Sequence, residues 1–186
     1  MDQVAGIDFG TRALHLVRRL QGTTTAEWRR IDIPSHARDA EGDALAARDA
    51  GIALLADPAW WDGVWLAGVE YPFARAHAVG NKTIMGAIVA TIPEHVHVIP
   101  LPAGLWTAWF LRTQPGTPLP KVPRKGIERK PLIKARALQL LARSEGPKSW
   151  PQDVYDAFGI SWAVEAYNQA GLLPPTPPRP LLRSVT

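Results

Sequence analysis

The chain has 186 residues and a net charge of +4, with 46% hydrophobic and 20% charged residues, ordinary values for one globular domain with a sizeable core. It has no cysteine, which excludes disulfides and thiolate metal sites. No run approaches the roughly 18 apolar residues of a membrane span, and the Met1-Asp2-Gln3 start lacks the basic region of a signal peptide. A cytoplasmic protein without a membrane partner is expected.

Residues 4–9 form an apolar run interrupted by Asp8, and Gly10 leads into a second run at 13–17. That pattern predicts a β-hairpin with an acid at the end of its first strand. An unpaired carboxylate in an apolar setting is costly. Asp8 therefore meets an edge, a partner or a cation, unless it is a turn aspartate bonding its own backbone. Residues 23–33 alternate as a third strand, with Trp28, Ile31 and Ile33 apolar and Pro34 as its stop. Residues 37–56 are alanine-rich, with Leu45, Ile52, Leu54 and Leu55 on a helical period. Trp60 and Trp61 are expected to pack beneath the next strand.

Residues 63–69 are continuously apolar, as strands inside parallel sheets are, and they end in Glu70. A helix over 74–92, a short strand over 96–99 and an aromatic helix over 103–111 follow. Residues 113–126 are a proline-rich basic loop, and 127–143 and 152–170 are predicted helices. Pro174, Pro175, Pro177 and Pro178 mark a tail expected to be disordered. The expected domain is therefore residues 1–171, and the tail 172–186. The predicted fold class is α/β: a mixed five-stranded sheet whose first three strands are antiparallel, with helices on both faces. Both strand-end acids then lie at the carboxyl edge, where open α/β sheets place their chemistry.

The last helix adds Asp153 and Asp156 in its first turn. Residues three apart share a helical face, so both can aim at one point, although acids in a first turn also favour the helix dipole without any site. Four carboxylates suit Mg²⁺, a hard cation that keeps water and substrate phosphates in its shell. Two such ions can drive phosphodiester hydrolysis. Immediately before this helix, Lys121, Arg124, Lys125, Arg129, Lys130, Lys134 and Arg136 stand against Glu128 alone. Such a segment suggests a polyanion partner; a solvated face is the plain alternative. None of the five histidines, His15 included, falls in a zinc or triad pattern.

The pattern Gly6-Ile7-Asp8-x-Gly10, then Val69-Glu70, then Asp153-x-x-Asp156-Ala157 resembles the RuvC family of Holliday junction resolvases over nearly the whole chain. The resemblance implies an RNase H-like fold, a homodimer, and metal-dependent incision of branched DNA at four-way junctions, with no nucleotide cofactor. It implies that Asp8, Glu70, Asp153 and Asp156 hold two Mg²⁺ ions, with Mn²⁺ as a substitute. It further implies DNA contacts at Phe73 and Lys130, with Arg124, Lys125, Arg129 and Lys134 from the basic segment. It puts the dimer contact on the helix near residues 77–90. A bacterial or phage-infected cell is the implied setting. Trp106 and Trp109 depart from the family, which carries a basic residue there. Two rivals remain at this point: a non-catalytic DNA-binding relative, and an ATPase of the actin-like or sugar-kinase type, whose first phosphate loop Gly6-Ile7-Asp8-Phe9-Gly10-Thr11 also resembles.

Overall fold

The computed structural model describes residues 2–10, 12–37, 39–71, 78–141 and 149–172, with the backbone alone at 78–81. Five strands form one sheet in the order β3-β2-β1-β4-β5. They are β1 (Gln3–Phe9), β2 (Ala13–Leu20), β3 (Ala26–Asp32), β4 (Val64–Tyr71) and β5 (His97–Pro102). The first three are antiparallel neighbours, and β4 and β5 run parallel to β1. The helices are α1 (Ala40–Leu55), α2 (Ala78–Thr91), α3 (Ala103–Leu111), α4 (Gly126–Leu141) and α5 (Gln152–Gln169).

Helices cover both faces, so the central strand β1 is apolar on both sides and Val4, Ala5 and Ile7 are buried. One core joins the sheet to α1 and α2, with Trp60 and Trp61 in it. The other joins Val4, Val17, Leu66 and Ile99 to α3, α4 and α5. Strand β5 continues through Pro100, past the end that its prolines predicted. It is an edge strand, so the missing N–H of Pro100 has no outer neighbour to serve.

Helix α5 is buried on almost every side, from Val154 to Ser161 and again from Ala163 to Glu165. Two glycines decide where it lies. A Cβ on Gly6 of β1 would stand 2.0 Å from the Ala157 carbonyl oxygen, and one on Gly68 of β4 would stand 2.8 Å from Ile160 Cγ2. The strands therefore form a groove that only glycine leaves open, and α5 crosses it with Ala157 over Gly6. That crossing carries the first turn of α5 to the end of β1, where Asp8 is. Among the described residues, no helix is long and apolar enough to cross a membrane.

Candidate active site

Asp8 and Glu70 extend from β1 and β4 on the face that receives α5, because side chains two apart along a strand share a face with Gly6 and Gly68. Asp153 and Asp156 come down from the first turn of α5. All four acids line one cleft of about 570 Å³, together with His15, Arg30, Trp106, Arg129 and Lys130. Three separate elements have thus brought the four sequence-predicted acids to one place.

Three of the acids are held, each by a different partner. The Trp106 indole N–H donates to Glu70 Oε2 at 2.9 Å. Gln152 Nε2 donates to Asp156 Oδ1 at 3.0 Å and to the Lys130 carbonyl at 3.3 Å, tying α5 to α4. Lys130 Nζ donates to Asp153 Oδ1 at 3.2 Å.

Four cations, Arg12, Arg30, Arg129 and Lys130, line the cleft with the four acids, yet burial keeps three of those acids raised. Burial, then the charges of Glu70, Asp156 and Asp153, push Asp8 well above the usual carboxylate range. Burial raises Asp156 to about 6, against the Gln152 hydrogen bond and Lys130. Burial also raises Glu70, with Trp106, Arg129 and Lys130 pulling the other way. Burial alone would pull the Lys130 ammonium down, but its hydrogen bond to Asp153 and the surrounding acids lift it instead. Buried oxygen donors that repel one another are suited to a hard divalent cation, which would relieve the repulsion. The residues present fit such an ion.

The fold can be set beside known structures. RuvC of Thermus thermophilus in complex with a Holliday junction substrate superposes with a TM-score of 0.62 at 16% identity, covering 92% of this chain and 98% of that one. A second Thermus thermophilus RuvC structure gives 0.59 at 18% identity, over 91% and 97%. The chain has a RuvC-like fold. No protein-family model and no curated protein matches it by sequence.

Within this RuvC-like fold, the predicted basic residues divide. Arg129 and Lys130 line the cleft. Arg129 also donates to the Arg124 carbonyl at 2.9 Å, which closes the loop leading into α4. Arg124, Lys125 and Lys134 are exposed outside the cleft. Lys125 lies 3.9 Å from Glu128, and Lys134 Nζ is 5.7 Å from the centre of the Tyr155 ring. Phe73 lies outside the described residues, as does the start of the proposed dimer helix at His77 and the tail from residue 173.

Trp106, Gln152 and His15 were among the site residues that went unread in the sequence, as was Arg30. Trp106 was visible only as a departure from a family pattern, and it serves Glu70. Gln152 gave no signal beyond its place at a helix start. His15 did give one. The β1–β2 ladder pairs Phe9 with Leu14 and Asp8 with His15, and directly opposed residues of an antiparallel pair share a face. A hairpin centred on the Gly10 turn therefore already carried His15 to Asp8.

Proposed function

We propose that this chain is a RuvC-like endonuclease that resolves four-way DNA junctions. The observation that carries this reading is the convergence of Asp8, Glu70, Asp153 and Asp156, from two strand ends and a helix start, in one cleft rimmed by Arg129 and Lys130. The four acids would hold divalent cations, Mg²⁺ or Mn²⁺, two per site. When bound, those ions would activate the attacking water and stabilise the leaving oxygen of the phosphodiester.

The chain's own residues do the positioning. Trp106 fixes the Glu70 carboxylate, Gln152 fixes Asp156, and Lys130 holds Asp153 until a phosphate competes for its ammonium. Arg124, Lys125, Arg129, Lys130 and Lys134 follow the phosphate backbone, which sets position and not sequence. Selection of a branched substrate then rests on DNA shape, with Phe73 stacking on an unpaired base at the branch. Two copies joined through α2, where Gly86 and Ala90 are exposed, would present two clefts to symmetrically related strands. Residues 1–171 would form the nuclease domain, with the tail from 172 apart from it. The proposed setting is the cytoplasm of a bacterial or phage-infected cell.

The test is a labelled synthetic four-way junction beside a linear duplex of the same sequence, each with Mg²⁺, with Mn²⁺ and with chelator. Paired incisions in opposing junction strands, absent with chelator and on duplex, are expected. A junction that is bound but stays uncut with both ions would leave the protein a DNA-binding relative without catalysis.

A further inference from the structure

His15 has no role in the reading above. It is 6% exposed in a strand of the sheet, facing the cleft. A neighbouring polar group is Asp153, whose Oδ2 lies 4.0 Å from His15 Nδ1, beyond hydrogen-bonding reach, and Arg30 stands opposite His15 on β3. Neither ring nitrogen is among the buried polar atoms that lack a partner, so the imidazole can meet solvent or a ligand in the cleft. A purely packed residue at this strand position would be apolar, as Ala13 and Val17 on the same face are.

The spacing suggests a ligand role. One donor atom from each of Asp8, His15 and Asp153 can be chosen so that all lie within 4.8 Å of one another. Two bonds of about 2.1 Å to a common ion separate their donor atoms by about 3.0 Å at a right angle and by about 4.2 Å when opposed. Small side-chain movements therefore close this triangle on a single cation. The cross-strand pairing of Asp8 with His15 sets one edge of it, and the crossing of α5 over Gly6 sets the other two.

We infer that His15 is a nitrogen ligand of the cation held between Asp8 and Asp153, so that this position prefers a first-row transition cation, Mn²⁺ or Co²⁺, over Mg²⁺. The inference rests on the metal reading of the acidic cleft and sharpens it. Imidazole adds little for Mg²⁺, whose preferred shell is oxygen and water, and much for a softer divalent ion. The second cation position, beside Glu70 and Asp156, keeps an all-oxygen donor set.

The experiment uses the full chain without DNA. Pulsed electron paramagnetic resonance of bound Mn²⁺ reads directly bound nitrogen, and calorimetry reads Mn²⁺ and Mg²⁺ affinity. Wild type should show a ¹⁴N coupling on Mn²⁺, and His15→Gln should lose it. The substitution should weaken Mn²⁺ binding by about tenfold or more and change Mg²⁺ binding less than threefold, by the same oxygen-donor argument. Mn²⁺ that binds wild type, is lost in Asp8→Asn and yet shows no nitrogen coupling would overturn the His15 assignment and leave the acidic site standing. Mn²⁺ that binds equally well to wild type and Asp8→Asn would overturn both. The coupling in wild type requires no substitution, so a poorly folding variant does not blunt the test.

Discussion

Helix α5 carries charge at both ends of its buried face, and the chain treats the two ends in opposite ways. Toward its C-terminal end, Glu165 is ion-paired with Arg19 of β2, and both are buried. The Arg19 guanidinium also donates to Ser161 Oγ, to the Ser161 carbonyl and to the Thr23 carbonyl, each at 3.1 Å, and lies 4.7 Å over the Trp162 ring. Glu165 Oε1 accepts from the Gly22 N–H and from Gln169. At the N-terminal end, four acids share the cleft with Arg12, Arg30, Arg129 and Lys130, and Asp8, Glu70 and Asp156 are nevertheless pushed toward protonation by burial. The first cluster is compensated from within and is architecture. In the second, burial outweighs the cations and leaves three acids raised, and that marks it as a candidate site.

The largest expected effect breaks the compensated end. Arg19→Met leaves Glu165 buried without its cation and should cost about 3–5 kcal/mol of stability in chemical denaturation. Adding Glu165→Leu should recover much of that loss, because well-packed apolar replacements of a buried pair are often neutral. If the single and double variants fell equally, the pair would be incidental to packing.

The opposite sign is expected at the acidic end. Asp156 has a raised folded-state pKa of about 6, so the folded protein holds its proton more tightly than the unfolded chain does. Stability is then greatest at low pH and is lost as pH rises through about 4 to about 6. Asp8 and Glu70 act in the same direction. In chelator, Asp156→Asn should be more stable than wild type at pH 7.5 by on the order of 2 kcal/mol, and the advantage should shrink toward pH 4. A divalent cation should remove it by stabilising wild type alone. An advantage that stays constant with pH would mean that Asp156 is not under electrostatic stress.

The smallest change to the fold should come from the exposed cations. Replacing Arg124, Lys125 and Lys134 with glutamine should leave the melting temperature unchanged. The slope of log binding constant against log salt should flatten by about 0.9 for each duplex-arm phosphate that the variant no longer neutralises. An unchanged slope would return these residues to a solvated surface.

How far the sequence spoke depends on the range over which each feature is encoded. The sheet was readable because each strand carries its own apolar run or alternation, and the strand-end acids because an acid ending an apolar run is a local contradiction. The bounds of β4 and β5 were less so: Glu70 lies within β4 and Pro100 within β5, since ladder pairing outweighs local punctuation. His15 needed one more step, the register of a hairpin already in view. The Arg19–Glu165 pair joins residues 146 positions apart, and no local pattern announces it. Trp106 meets Glu70 only because α3 follows directly on β5, beside β4. Compensation between distant elements is what a sequence conceals, and it separates the two ends of α5.

The most direct measurement is Asp8→Asn assayed on one labelled four-way junction for binding and for cleavage with Mg²⁺ or Mn²⁺. Asp8 sits where the cleft's charges converge, and its amide keeps the shape while removing a negative donor. The account predicts junction binding equal to or tighter than wild type, because a charge facing the DNA is gone, with cleavage abolished. Cleavage at a near wild-type rate would contradict it.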